Sequence, residues 1–130
     1  MIDVAAAIIF SGDRFLIARR APHKDQAGFW EFPGGKLEAD EAPKDCLIRE
    51  ISEELSLEII IVNHLTDNVF NYPDKTINLK AYICKLISGE PHLTDHDRVE
   101  WILPADLDKY LFAPADVALV SELKNYLQDR

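Results

Sequence analysis

The sequence supports an α+β fold, and three observations point there. Apolar runs of strand length recur through the first 20 residues and again between 58 and 102. Two other stretches, 43–55 and 116–127, repeat their apolar residues at the helical interval instead. A chain of 130 residues is long enough for one domain with a real core and too short for two, so 1–130 is expected to be a single domain.

The elements follow in order. Residues 3 to 10, DVAAAIIF, and 14 to 19, RFLIAR, are joined by Ser11-Gly12-Asp13, a turn signal that predicts a hairpin. Arg19-Arg20 closes the second run, and a polar loop follows from Ala21 to Gly28. In Phe29-Trp30-Glu31-Phe32-Pro33, alternation places Trp30 and Phe32 on one side of a short strand and Glu31 on the other. That strand delivers the chain into Pro33-Gly34-Gly35, read as a loop whose glycines let the backbone approach a ligand or metal closely.

From Pro43 the spacing is helical. Proline suits the first helical position, Ala42 before it cannot cap, and Asp45 meets the helix dipole in the first turn. At about 100° per residue, Leu47, Ile48, Ile51 and Leu55 share an apolar side. Glu50, Glu53 and Glu54 share another, with Arg49 beside them. Ser56 stands where a glycine usually supplies the left-handed helix ending, at a cost of roughly 1 kcal/mol.

Beyond the helix, Glu58 to His64 is an aliphatic strand candidate, and Val69 to Tyr72 and Thr76 to Ile87 predict two more around the turn Pro73-Asp74-Lys75. Positions 77, 79, 81 and 83 alternate with 78, 80 and 82, the period of a half-buried strand. Ser88 to Asp97 is a loop, and its Asp95-His96-Asp97 is read as charged loop residues, with metal recruitment as the alternative. Arg98 to Ile102 is a short strand carrying one acid, Glu100, before Trp101. The tail holds a short helix, Pro104 to Leu111, and a longer one, Asp116 to Leu127, whose stripe Val117, Val120, Leu123 and Leu127 suits docking on a sheet.

Composition narrows the function. Fourteen Lys and Arg against 23 Asp and Glu leave a net charge of −9, which disfavours long nucleic acid as a partner, since such binding depends on neutralising phosphates. A small polyphosphate can still enter a locally basic or metal-loaded cleft. No apolar run approaches the 18 or so residues of a membrane span, and MIDVAAAIIF lacks a basic leader region, so no membrane partner and a cytoplasmic location are expected. Cys46 and Cys84 are read as buried, reduced thiols.

The three glutamates carry the chemistry. Like charges at i, i+3 and i+4 cost a few tenths of a kcal/mol per pair, so either the face is simply solvated or a hard cation offsets the repulsion. Mg²⁺ prefers carboxylate oxygens and completes its shell with waters and substrate phosphates. Gly35, five residues, Glu41, seven residues, then Arg49-Glu50-Ile51, one residue and Glu53-Glu54 resembles the Nudix box, the signature of hydrolases of nucleoside diphosphates linked to another group. Ser56 departs from the family glycine without touching a charged position.

The resemblance is to the MutT-like branch and covers essentially the whole chain. It implies an α-β-α sandwich with a mixed β-sheet and a reaction in which water attacks a nucleoside triphosphate, at the β phosphorus, releasing a nucleoside monophosphate and diphosphate. It implies Mg²⁺, with Mn²⁺ as a substitute, held by the Gly34 carbonyl, Glu50, Glu53, Glu54 and Glu100. Glu50 is expected to orient or deprotonate the water, Arg49 to hold Glu50 or Glu53, and Glu53 to be essential. Glu41 is either an outer ligand or a salt-bridge partner. The substrate set is Arg20, Glu31, Phe32, Lys36, Tyr72, Lys75 and Asp116, with Arg20 and Lys36 toward phosphate.

Phe112-Ala113-Pro114-Ala115-Asp116 resembles the base-contacting segment of MutT-like enzymes, and with AspGlnAlaGlyPheTrpGluPhe it is similar in wording to the CTP pyrophosphohydrolase relatives. An ionised Asp116 accepts from the amino group of cytosine. A protonated one readmits 8-oxoguanine, and a third use is to cap the last helix. The expected partner is a small nucleoside triphosphate, pyrimidine (CTP or dCTP) or oxidised, and the assembly a monomer or homodimer. An 8-oxo-dGTP-specific antimutator diphosphatase and a non-catalytic nucleotide-binding regulatory module are the alternatives.

Overall fold

The computed structural model describes residues 1–129. One seven-stranded mixed sheet separates two helices, giving the expected α-β-α layering. The strands are β1 (Ile2–Ser11), β2 (Arg14–Arg20), β3 (Trp30–Glu31), β4 (Gly34–Lys36), β5 (Glu58–Tyr72), β6 (Lys75–Ser88) and β7 (His96–Ile102). The helices are α1 (Pro43–Leu55) and α2 (Pro114–Gln128), with a 3₁₀ turn over Pro104–Lys109. No helix among the described residues is long and apolar enough to cross a membrane.

β1 is the hub of the sheet. It runs parallel to β6 and antiparallel to β4, and meets β2 only at Phe10↔Phe15 and Ser11↔Arg14. The predicted hairpin therefore exists but splays at once, and β2 goes on to pair with β3 and β7. Alternation along β1 sends Ala6 and Ile8 to the α2 side and Ala5, Ala7 and Ile9 to the α1 side. Both sides are dry because both are covered by a helix, so β1 is a continuous apolar run. Each fully buried Leu, Ile or Phe contributes about 1.5–3 kcal/mol.

Several expectations are corrected. Gly34-Gly35 is not a loop but strand β4, and a Cβ at Gly34 would overlap the Ala5 carbonyl of the neighbouring strand. Residues 58–72 form one long strand, because register shifts after Glu58, Ile61 and His64 absorb the extra residues that hide its period. β6 is buried on both faces at its centre, Ala81 to Cys84, since Ala81 and Ile83 pack into the core on the α2 side and Tyr82 and Cys84 into the core on the α1 side. On α1 the buried side is Cys46, Leu47, Ile51 and Leu55, with Ile48 exposed. On α2 it is Ala115, Asp116, Leu119 and Leu123, with Val117 exposed.

α1 begins and ends as its sequence dictates. Ala42 makes no side-chain cap, Pro43 opens the helix, and Ser56 adopts the left-handed conformation at φ 58°. Its backbone N–H donates to the Ser52 carbonyl, which closes the last turn. Both cysteines are buried and unpaired with each other.

Candidate functional site

The site forms where β4, the acidic side of α1 and the loop before β7 meet, and it continues into a cleft on the α2 side of the sheet. Arg49 organises the first part. Its Nε and one terminal nitrogen donate to Glu41 at 2.8 and 2.9 Å, a forked contact, while the other terminal nitrogen reaches Glu50 at 2.8 Å and Glu53 at 3.3 Å. Glu41 also accepts the Glu38 backbone N–H at 3.0 Å. Those contacts hold its carboxyl down at about 2 and tie the loop before α1 to Arg49.

Glu50 is packed tightly. A Cβ at Gly35 would overlap the Glu50 carboxylate, so the second glycine is what admits this acid against the strand. Glu53 stands at the open rim, its side chain 62% exposed against 15% for Glu50. Glu54 is the most perturbed of the three. Burial first, then a hydrogen bond with Glu50 and the charges of Glu50, Asp95 and Glu31, push its carboxyl up to about 9. Four acids thus share one place with no cation of the protein seated on Glu54 among the described contacts.

Asp95 joins this group because its loop is docked on the end of α1. The His92 N–H donates to the Leu55 carbonyl at 2.9 Å, and the Thr94 hydroxyl donates to the Glu54 carbonyl at 3.0 Å. Lys24 approaches Asp95 at 3.5 Å from the facing loop. Sequence reasoning set this acid aside as charged loop, although the Asp-His-Asp triplet was the available signal.

Glu100, expected in the metal shell, is placed elsewhere. It lies opposite Ile17 in the β2–β7 register, and Ile17 belongs to the core on the α2 side. Its neighbours Val99 and Trp101 pack toward α1. Glu100 therefore points away from α1, and its carboxylate is taken by Arg98 at 2.6 Å. A period-two strand can offer the α1 side either Glu100 or its neighbours, and the bulky apolar pair occupies it.

The carboxylates form an open row, not a closed cage. No three or more His, Cys, Asp or Glu side chains among the described residues are close enough to hold an ion alone. The donors are all oxygen and mutually repelling, which fits a hard divalent cation that keeps waters and phosphate oxygens as further ligands. Glu50, Glu53, Glu54, Asp95 and the Gly34 carbonyl are the groups that would hold it.

The cleft next to the row encloses about 780 Å³ up to its open mouth, and Arg20, Glu31, Phe32, Lys36, Tyr72, Lys75 and Asp116 all line it. Here the expected substrate set is brought together from six separated stretches. The segment 111–113 zips onto Trp30 through N–H···O bonds of 2.9 and 2.8 Å, which sets α2 beside β3. Phe32 then stacks on Phe112 at 5.2 Å, and its N–H donates to the buried Asp116 carboxylate at 2.9 Å. Asp116 is not the helix cap: Ala113 holds that position, with no side-chain cap.

Burial, reinforced by the charge of Glu31, raises the Asp116 carboxyl well above the ordinary range, while the Phe32 N–H and Arg20 act against this. Arg20 donates to the Asp25 carbonyl at 2.9 Å and approaches Glu31 at 3.5 Å. Lys75 lies over the Tyr72 ring and approaches Asp25 at 3.4 Å, and the Tyr72 hydroxyl accepts the Ala115 N–H.

Known proteins resemble this chain over most of its length. The sequence model of the NUDIX domain matches residues 4–122. The CTP pyrophosphohydrolase of Escherichia coli (strain K12) is 36% identical over 120 residues, covering 92% of this chain and 89% of that one. The 8-oxo-dGTP diphosphatase of Haemophilus influenzae is 32% identical over 126 residues, covering 96% and 93%. The solution structure of the E. coli ORF135 protein superposes with a TM-score of 0.86 at 33% identity, covering 100% of this chain and 93% of that one.

Proposed function

Since the chain belongs to the NUDIX family and is a MutT-like Nudix hydrolase, we propose that it converts a nucleoside triphosphate and water to the monophosphate and diphosphate, with CTP or dCTP as the preferred class. Enzymes of this family generally use divalent metal ions and act on small nucleotides; Mg²⁺ is the ion proposed here, with Mn²⁺ able to replace it. The observation that carries the reading is the pairing of Glu54, a half-buried acid whose charged neighbours Glu50, Asp95 and Glu31 are all acids, with a cleft that ends on a buried carboxylate, Asp116.

The two ends divide the work. A divalent cation, when bound, would offset the row and lower the pKa of a coordinated water. The protein supplies the rest. Arg49 fixes the Glu50 carboxylate against β4, where it orients the attacking water and accepts its proton. Glu53 and Glu54 would hold the cation, and Lys36 and Lys75 offer positive charge at the cleft wall. The base enters the cleft that Phe32 and Asp116 line, where the Asp116 carboxylate accepts from an exocyclic amino group.

A second reading has its own observation. Burial lifts the Asp116 carboxyl, and a protonated carboxyl both donates and accepts, which suits 8-oxo-dGTP. Purified protein with Mg²⁺ is expected to release diphosphate from CTP, dCTP or 8-oxo-dGTP. Orthophosphate as the sole product from all three would overturn the proposal, and a specificity-constant panel over them decides between the two readings. A catalytically silent regulatory module would bind these nucleotides without turnover.

A further inference from the structure

His96 is the buried polar side chain that the reaction above leaves unused. It opens β7 opposite Arg20 across a bulge in the β2–β7 pairing, and its side chain is only 1% exposed. Its Nε2 lies 2.8 Å from Glu31 Oε2. Its Nδ1 is sealed from solvent and has no hydrogen-bond partner among the described residues. The two nitrogens are thus in opposite circumstances.

That asymmetry assigns the proton. A hydrogen on Nδ1 would be a buried donor with nothing to meet, which costs more than a bare lone pair left in the same place. With Nδ1 bare, Nε2 carries the N–H and donates to Glu31 Oε2. Arg20 approaches the same oxygen at 3.5 Å. Both protein contacts use Oε2, so Oε1 is left to accept from something in the cleft that Glu31 lines. Glu31 stands between the two ends of the site, near enough for its charge to act on both Asp116 and Glu54.

We propose that His96 is a positioning residue: through its Nε2 it holds the Glu31 carboxylate in one orientation, aimed to accept a hydrogen bond from an N–H or O–H of the bound nucleoside. A histidine suits the task because it gives a donor at the end of a short rigid arm without burying a positive charge, as a lysine would. The inference rests on the reading of the cleft as a nucleotide site. The donor on the ligand is either the exocyclic amino group of the base or a pentose hydroxyl, and the test separates them.

Two measurements decide it. Ring ¹⁵N shifts of His96 in the ligand-free protein at neutral pH should show a protonated Nε2 and a bare Nδ1, and a proton on Nδ1 overturns the assignment. Calorimetric binding of a non-hydrolysable α,β-methylene CTP with Mg²⁺ should weaken about tenfold in His96→Leu, a loss of the size expected for one hydrogen bond to a charged group. His96→Gln, whose amide can donate from near the Nε2 position, should recover most of it, and inorganic tripolyphosphate should bind all variants alike. In a Glu31→Gln background, His96→Leu should add nothing further.

The UTP and dCTP analogues identify the donor: indifference to His96→Leu with UTP marks the exocyclic amino group, indifference with dCTP marks the 2′-hydroxyl, and weakening of both with tripolyphosphate unaffected marks the 3′-hydroxyl. Equal weakening toward every analogue and tripolyphosphate means that His96 only supports the fold, and the proposal fails. If the wild-type protein binds tripolyphosphate but no nucleotide, the nucleotide reading itself fails. Wild-type nucleotide binding that is indifferent to His96→Leu sinks this inference alone. Where His96→Leu does not fold, the ring shifts and the glutamine variant still decide.

Discussion

Glu54 and Asp116 are the same chemistry on opposite sides of one sheet, and their surroundings give them opposite employment. Burial raises both carboxyls. Around Glu54 the neighbours are Glu50, Asp95 and Glu31, which all push it further up, so the α1 side is an electrostatic problem that a cation resolves. Around Asp116 the nearest polar partner is the Phe32 N–H, within an aromatic wall, so the α2 side is already satisfied as a directional acceptor. In the proposed reaction an acid with only acids for company would exchange its proton for an ion, and an acid given a backbone donor would keep its orientation and meet the base.

The sharpest way to break this contrast is Glu54→Gln. It removes one charge from the row, and turnover is expected to fall by at least about 100-fold, the scale of losing a directed electrostatic contact in a transition state. The nucleotide rank order should not change, because Asp116 is untouched; steady-state kinetics over the nucleotide panel checks both. Glu53→Gln should act in the same sense, with the fold retained by circular dichroism.

Asp116→Asn probes the other side. One hydrogen-bonding edge is worth about 1–3 kcal/mol of discrimination, so the CTP to 8-oxo-dGTP preference should move by about tenfold or more while the metal dependence stays. An unchanged rank order would remove Asp116 from base reading. Gly35→Ala is smaller still. Its methyl meets the Glu50 carboxylate, a group able to swing aside, so turnover should fall severalfold with little change in nucleotide preference.

The smallest effects are in stability against pH, and the signs differ between acids. Glu54 holds its proton in the folded state up to about 9 against an ordinary 4.5, so its contribution drains away as pH rises through that window in metal-free protein. Glu54→Gln should flatten that limb, and added Mg²⁺ should raise Tm most at the alkaline end. Glu41 is the reverse. Its carboxyl, held at about 2 chiefly by Arg49, stabilises the fold above 4.5 and loses this as pH falls toward 2, so Glu41→Gln should flatten the acid limb. Thermal melts across pH check both.

Much of this was legible in the sequence because it depends on neighbours along the chain. Helical spacing placed Glu50, Glu53 and Glu54 on one side of 43–55, and Ser56 ended the helix as a left-handed residue would. The alternation of Trp30, Glu31 and Phe32 held as well, with both aromatics in the core on the α2 side. Arg49 meeting Glu53 follows from a step of four residues along the helix.

The remainder was decided by contacts between distant segments. Glu100 and Asp95 are both acids near Trp101, and the family resemblance favoured Glu100; only the register of β7 on β2 turned Glu100 away, while the docking of 92–94 on the end of α1 brought Asp95 in. His96 meets Glu31 across 65 residues and Phe32 meets Asp116 across 84. The chain's own periodicity determined which residues share a helix face or a strand side, because dihedral repeats are local. Which acid lies near which partner was settled by sheet register and loop docking, because both depend on the whole core being packed at once.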